Sequence, residues 1–328
     1  MKKILIAFVV LFAAPFFSQA AETNVLQLSK RIELPHLLGR IDHLTADVAG
    51  QRLFVAALEN NSLEIVDLKA GKHLGSIPGL PKPAGVFYLP ESNRIYVACG
   101  GDGTCKIYDG KTFKLVKNIE GLDDADNLRY DAKTKLLYVG FGGGALGLIN
   151  VAQNKLIGAI PLKAHPEAFV LEKNGPRIFV NLPERKQIIV LDREKKIAAQ
   201  VWSLQKVEEN FPMALDEKNQ RLFVGCRQPA ALLVLDAKIG KVVAAVPISS
   251  DTDDLFFDEF NKRLYVSGGE GYVDVIQQID ANHYKPLEKI PTGKRGRTSL
   301  LIPELKLFCV ATPARPPQSA EIWVFELH

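Results

Sequence analysis

The chain has 328 residues, is 47% hydrophobic and 24% charged, and carries a formal net charge of +4. That balance excludes a disordered polyelectrolyte and allows a sizeable core. The charge lacks the dense basic patch of a nucleic-acid binder, so DNA is the least favoured of the partners weighed below.

Lys2 and Lys3 open the chain, Ile4 to Phe17 is an almost unbroken apolar run, and Ser18-Gln19-Ala20 supplies small residues for cleavage. This pattern predicts a secretory signal over residues 1–20 and a periplasmic or secreted mature protein. The run is short for a membrane span, and no other stretch is long and apolar enough for one. Removing residues 1–20 takes away two lysines and no acid, leaving +2.

From residue 21 onward a short word recurs. It begins at Arg52 ("RLFV"), Arg94 ("RIYV"), Leu136 ("LLYV"), Arg177 ("RIFV"), Arg221 ("RLFV"), Arg263 ("RLYV") and Lys306 ("KLFC"), at intervals of 42, 42, 41, 44, 42 and 43. A fixed period of about 40–45 residues is the mark of propeller blades. Five residues before the word stands an acid in five of seven copies: Asp47, Asp131, Glu172, Asp216 and Asp258. Turn formers lie between acid and word. A Gly-rich or polar loop follows, then an apolar strand ending at Asp67, Asp109, Asn150, Asp192 or Asp236. An outer strand comes after that. No 3.6-residue period is sustained, so helices are expected to be few.

Each repeat therefore supplies four antiparallel strands, A to D from the axis outward, and the expectation is an all-β, seven-bladed β-propeller as a single domain over residues 21–328. The last repeat ends at "EIWVFELH" without a D strand, while residues 25–35 resemble one. The N-terminal strand is thus expected to complete the last blade and close the ring.

The words "RLFVAALENNSLEIVDLKAGK" and "RIYVACGGDGTCKIYDGKTFK" resemble those of the exported YVTN-repeat, or YncE-like, β-propellers. The resemblance spans essentially the whole mature chain. It implies the fold and leaves activity open, because the group shares a repeat and no catalytic motif. Some members of the wider group bind DNA, and related seven-bladed folds include redox enzymes and lactonases.

Four cysteines are present. Cys99 and Cys105 bracket "GGDGT" and could bridge the arms of a hairpin, while Cys226 and Cys309 lie in apolar runs as buried thiols. The absence of CxxCH excludes covalent c-type haem. "GGDG", "FGGGALG" and "GGEGYVD" each join strand to strand and read as hairpin turns, since a phosphate loop needs a helix after it.

The word also serves as a ruler. Ten residues before each copy stand Asp42, Ala84, Asp126, Glu167, Phe211, Asp253 and Gly296; nine before stand His43, Gly85, Asn127, Ala168, Pro212, Asp254 and Arg297. These positions are expected to ring the channel mouth, with His165 beside them. The B–C loops add a rim of Asn60, Asn61, Asp102, Arg185, Arg227 and Glu270, joined by Arg315 and by Arg295 of "TGKRGRTS". Asp42, Asp126, Glu167 and Asp254 are the candidate ligands of a divalent cation, Ca²⁺ or Mg²⁺, since hard cations take carboxylate oxygen. The first expectation is a binding scaffold, a monomer, that holds a protein, small-molecule or cell-surface ligand at this loop face. The alternatives are a metal-dependent lactonase-like hydrolase using the acidic ring and a DNA-binding propeller.

Overall fold

A computed structural model describes residues 25–328; the signal-peptide expectation lies outside them. Seven four-stranded antiparallel sheets form a propeller. In blade 1 the strands run Leu44–Asp47, Arg52–Ala57, Ser62–Asp67 and Lys72–Pro78. The recurring word is the B strand of every blade. Among the described residues helix is confined to three single turns, Pro90–Ser92, Pro183–Arg185 and Pro303–Leu305. No helix among the described residues is long and apolar enough to cross a membrane.

The word recurs because its alternate side chains serve two interfaces. Leu53 and Val55 pack with blade 7, whereas Phe54 and Ala56 pack with blade 2. Blade 2 repeats this, with Ile95 and Val97 facing back and Tyr96 and Ala98 facing on. Each B strand is thus buried on both faces and must be continuously apolar, in contrast to the exposed D strands.

The conserved local grammar also has a physical basis. The acid five positions before the word caps the A–B turn: Asp47 accepts from the Gly50 amide at 3.0 Å, and Asp258 from the Asn261 amide at 3.1 Å. The Asx residue ending strand C caps the C–D turn, as Asp192 does for the Lys195 amide at 2.9 Å. In blades 1 to 6 the C–D pairing carries a bulge at one equivalent place, Ile65/Val66 in blade 1 and Val275/Ile276 in blade 6, which adds local twist.

Ring closure follows the sequence expectation. Leu26–Leu34 pairs antiparallel with Ala320–Leu327 as the outer strand of the blade whose inner strands are Thr298–Ile302 and Leu307–Thr312. Ile32 and Leu34 are buried there, and the His328 amide donates to the Val25 carbonyl at 3.0 Å.

Two expectations need correction. Cys99 and Cys105 are both free and buried. Cys105 lies opposite Ala98, so Cys99 is one residue out of phase with it. The two side chains enter different cores, Cys99 toward blade 1 and Cys105 toward blade 3, and the sheet stands between them. Second, the blade 7 B strand begins at Leu307, not Lys306. Ile302 faces Leu307 as Asp47 faces Arg52, so the count in that blade slips by one. Arg297, not Gly296, is the ten-before residue, and Thr298 is the nine-before residue. In blades 1, 4, 5 and 6 the arginine that opens the word also reaches the next blade.

Candidate functional site

With blade 7 re-registered, all seven ten-before residues line one funnel of about 630 Å³ on the D–A and B–C loop face. They are Asp42, Ala84, Asp126, Glu167, Phe211, Asp253 and Arg297. The nine-before residues His43, Asn127, Ala168, Pro212 and Asp254 lie one layer deeper, around a throat of about 40 Å³. Ring spacing is kept by repeated backbone bonds. The Asp42, Asp126 and Glu167 amides donate to the carbonyls of Ala56, Gly140 and Asn181, and the amides of those residues return to the carbonyls of His43, Asn127 and Ala168, all at 2.8–3.1 Å. Elsewhere the ring residues sit in A–B bulges, between Pro83 and Val86, Asn210 and Met213, and Thr252 and Asp254. At Gly85 a β-carbon would collide with the Asp126 carbonyl of the next blade, so this ring position must be glycine.

The carboxylates of the ring are mostly matched by cations. Asp42 meets Arg40 at 2.9 Å and His43 at 3.7 Å. Asp253 is gripped by Arg227 Nη2 at 2.9 Å and Arg297 Nε at 3.0 Å. Arg227 also lies over the Phe211 ring at 3.8 Å, and Arg297 pairs with Asp251 at 2.9 Å. Asp254 accepts from the Ser299 amide at 2.8 Å and faces His43 Nδ1 at 3.4 Å. Asp126 has His165 Nε2 at 4.0 Å and the Asn127 amide group at 3.4 Å. His165 is held by the Gly142 carbonyl at 3.1 Å.

Glu167 differs. Among the described residues its carboxylate has neither a hydrogen-bond donor nor an ion-pair partner, and it lines both funnel and throat. Burial, then the negative charge of Asp126 and Asp253, pushes its carboxyl up to about 8. Burial also pushes Asp42 up to about 6, against His43 and Arg40. Burial opposes the charge on His43, but Asp254 and Asp42 hold its imidazolium at about 10. Asp126 first, with Gly142 and Glu167, raises His165 to about 9. Burial opposes the charge on Asp126 too, yet His165, His43 and Arg40 hold it below the usual carboxylate range. At neutral pH the ring is therefore a set of ion pairs around one protonated glutamate.

The candidate metal ligands Asp42, Asp126, Glu167 and Asp254 do not form one donor set. Asp42 and Asp254 are engaged by Arg40, His43 and the Ser299 amide, and among the described residues no group of three or more His, Cys, Asp or Glu is disposed to hold a metal ion.

Of the rim residues, Arg227 is in the funnel wall. Asn60 donates to Ser62, Asn61 accepts from the Lys82 amide, and Asp102 pairs with Lys106. Arg185 reaches the Lys163 carbonyl, and Glu270 accepts from the Ser250 amide. Arg295 stands in the D–A loop of blade 7, its amide donating to the Gly269 carbonyl, and Arg315 borders a separate small cavity beside Trp323.

Two cations escaped the ruler. Arg40 lies twelve residues before its word, as do Lys82, Asp124 and His165, and all four line the funnel. Counting back twelve would have found this outer ring. Arg129 lines both the throat and the cavity beneath it, seven residues before its word, where no other blade carries a charge.

Comparison with known proteins agrees on architecture. A chain titled Kuenenia stuttgartiensis hydrazine synthase superposes with TM-score 0.77 at 15% identity, over 88% of this chain and 96% of that one. A chain from a mitotic checkpoint complex superposes with TM-score 0.78 at 14% identity, over 100% of both. No protein-family model and no curated protein sequence matches. The molecule is a seven-bladed β-propeller. At these identities the likeness to both structures is one of fold alone.

Proposed function

We propose that this propeller is an exported binding scaffold whose loop-face funnel receives the cationic group, an amine or guanidinium, of a small molecule or partner side chain. The observation that carries the reading is Glu167. It is the one ring carboxylate without a counter-charge, it is largely withdrawn from water, and it borders a cavity of ligand size. A ligand cation there would supply the missing partner and favour its ionised form. Lys2, Lys3, the apolar run to Phe17 and the small residues after it support export to the periplasm or beyond. The repeat words support placing the chain with the YVTN-repeat propellers.

Ethylguanidinium, which stays charged at every working pH, is the test ligand. At about a hundredfold over its Kd it should raise the melting temperature by about 5 °C. Glu167→Gln should abolish that rise, while Glu184→Gln, also in the funnel wall, should keep it. Equal stabilisation of both variants would refute the reading. Stabilisation by Ca²⁺ or Mg²⁺ alone would favour the metal-dependent hydrolase instead, and steeply salt-dependent affinity for a DNA duplex would favour the nucleic-acid binder.

A further inference from the structure

Below the throat the channel widens again, toward the A–B and C–D loops, into a second cavity of about 940 Å³. Its wall differs from that of the funnel. Leu44, Val86, Phe87, Leu171, Leu255 and Leu301 are among the side chains that line it. They belong to the A strands of different blades, so the apolar surface surrounds the axis. Its inner end holds one unmatched cation. Arg129 Nη1 donates to the Leu128 carbonyl at 2.8 Å, and this is the side chain's single hydrogen bond among the described residues. No carboxylate of the described residues lies within the 4.0 Å of an ion pair, and the guanidinium carbon stands 5.7 Å from the Phe169 ring centre. The nearby Asp254 is already engaged by His43 and the Ser299 amide. Arg129 is half-buried, and its remaining donors find no acceptor in the protein and are left to the cavity.

We propose that this lower cavity binds an amphipathic monocarboxylate, with the carboxylate on the Arg129 fork and the apolar chain lying along the leucine- and phenylalanine-lined wall toward the A–B loops. An apolar pocket of several hundred Å³ with one or two placed polar groups is the usual form of a small-molecule site. The planar fork matches a carboxylate in bidentate geometry. The other cations of this wall, Lys133, Lys173 and Arg193, lie at the A–B and C–D loop end, so the inner end offers one guanidinium with Asp254 close behind it, which favours one negative charge over two. The throat, which Glu167 borders from above and Arg129 from below, lies between the two cavities; Glu167 is not part of the lower wall, nor Arg129 of the funnel wall.

The test is calorimetric titration of the intact protein with dodecanoate, dodecan-1-ol and dodecyltrimethylammonium below their micelle concentrations. Dodecanoate should bind one to one, at least tenfold tighter than either of the others. Arg129→Met should weaken it about tenfold or more, Arg129→Lys should restore part of the affinity, and Glu184→Gln, in the funnel wall and away from the throat, should leave it unchanged. Val170→Phe, which intrudes on the lower wall with Arg129 intact, should also weaken it. Equal binding of the cationic amphiphile, no binding of dodecanoate, or full affinity in a folded Arg129→Met protein would each overturn the proposal. Should Arg129→Met fail to fold, the comparison of the three amphiphiles on the unmodified protein decides the question.

Discussion

Glu167 shows how one residue's surroundings set its chemistry. Asp42 and Asp253 are as deeply placed, yet each has an arginine within 3.0 Å. Glu167 has none and keeps its proton instead. The consequence for stability has a definite sign. Glu167 has its carboxyl raised from 4.5 to about 8, so between those values the folded chain binds more protons than the unfolded one, and folding weakens as pH rises through that window. His43 and His165 are raised from 6.5 to about 10 and about 9. Their contribution is complete below 6.5 and is lost as pH climbs through 9 to 10. All three slopes agree, so urea unfolding should show stability falling from about pH 6.5 to 10. Glu167→Gln should be more stable than the parent by about 1–2 kcal/mol at pH 9, after allowance for its open side, and indistinguishable at pH 5. A variant that is less stable at pH 9 would mean that the carboxylate has a partner.

At the scale of the strand, the recurring arginine joins neighbouring blades in four of its five copies; Arg94 instead pairs with Asp109 of its own blade. Arg52 grips Asp47 of its own blade and reaches the Gly110 carbonyl in the C–D turn of the next at 2.6 Å. Arg177 does the same between Glu172 and the Ala237 carbonyl, and adds Gln220 at 2.6 Å. Arg221 reaches Ala281 at 2.8 Å and Arg263 the terminal His328 at 2.5 Å. Arg177→Met should cost about 2–3 kcal/mol in urea unfolding, because it leaves Glu172 buried without its cation, and Glu172→Gln in the same chain should recover part of that. An unchanged midpoint in the single variant would remove the clamp from the account. Strand identity and blade count were legible because burial on both faces forces a continuous apolar word. The clamp was not, because an arginine before an apolar strand reads equally well as a solvated strand end. The disulfide misled for a related reason: six residues separate Cys99 from Cys105, and only the pairing register reveals that they face opposite ways. In blade 7, "KLFC" matched the word in composition while the strand began one residue later, which hid Arg297's place in the upper ring.

The molecule as a whole is a closed ring with a different chemistry at each end of its channel. Closure depends on the N-terminal strand. Deleting residues 22–35 removes the outer strand of the last blade, including Ile32 and Leu34, whose burial alone is worth about 4 kcal/mol. It also exposes the Ala320–Leu327 edge. The truncated chain should melt well below the intact one, and an unchanged melting temperature would contradict closure. The channel was legible in part. Ten- and nine-residue counts located both rings, because bulges and paired backbone bonds hold those positions alike in most blades. What the side chains do there was not legible, since ion pairing depends on cations from the neighbouring loops, such as Arg40 and Arg227, whose reach the repeat does not encode.

The central claim is that a ligand cation ionises Glu167 in the upper funnel. Calorimetric titration with ethylguanidinium at pH 7, in buffers of differing ionisation enthalpy, tests it most directly. With the carboxyl at about 8 in the free protein, binding should release close to one proton per ligand, and affinity should rise as pH increases toward 8. Binding without proton release, or with unaltered release in Glu167→Gln, would contradict the account.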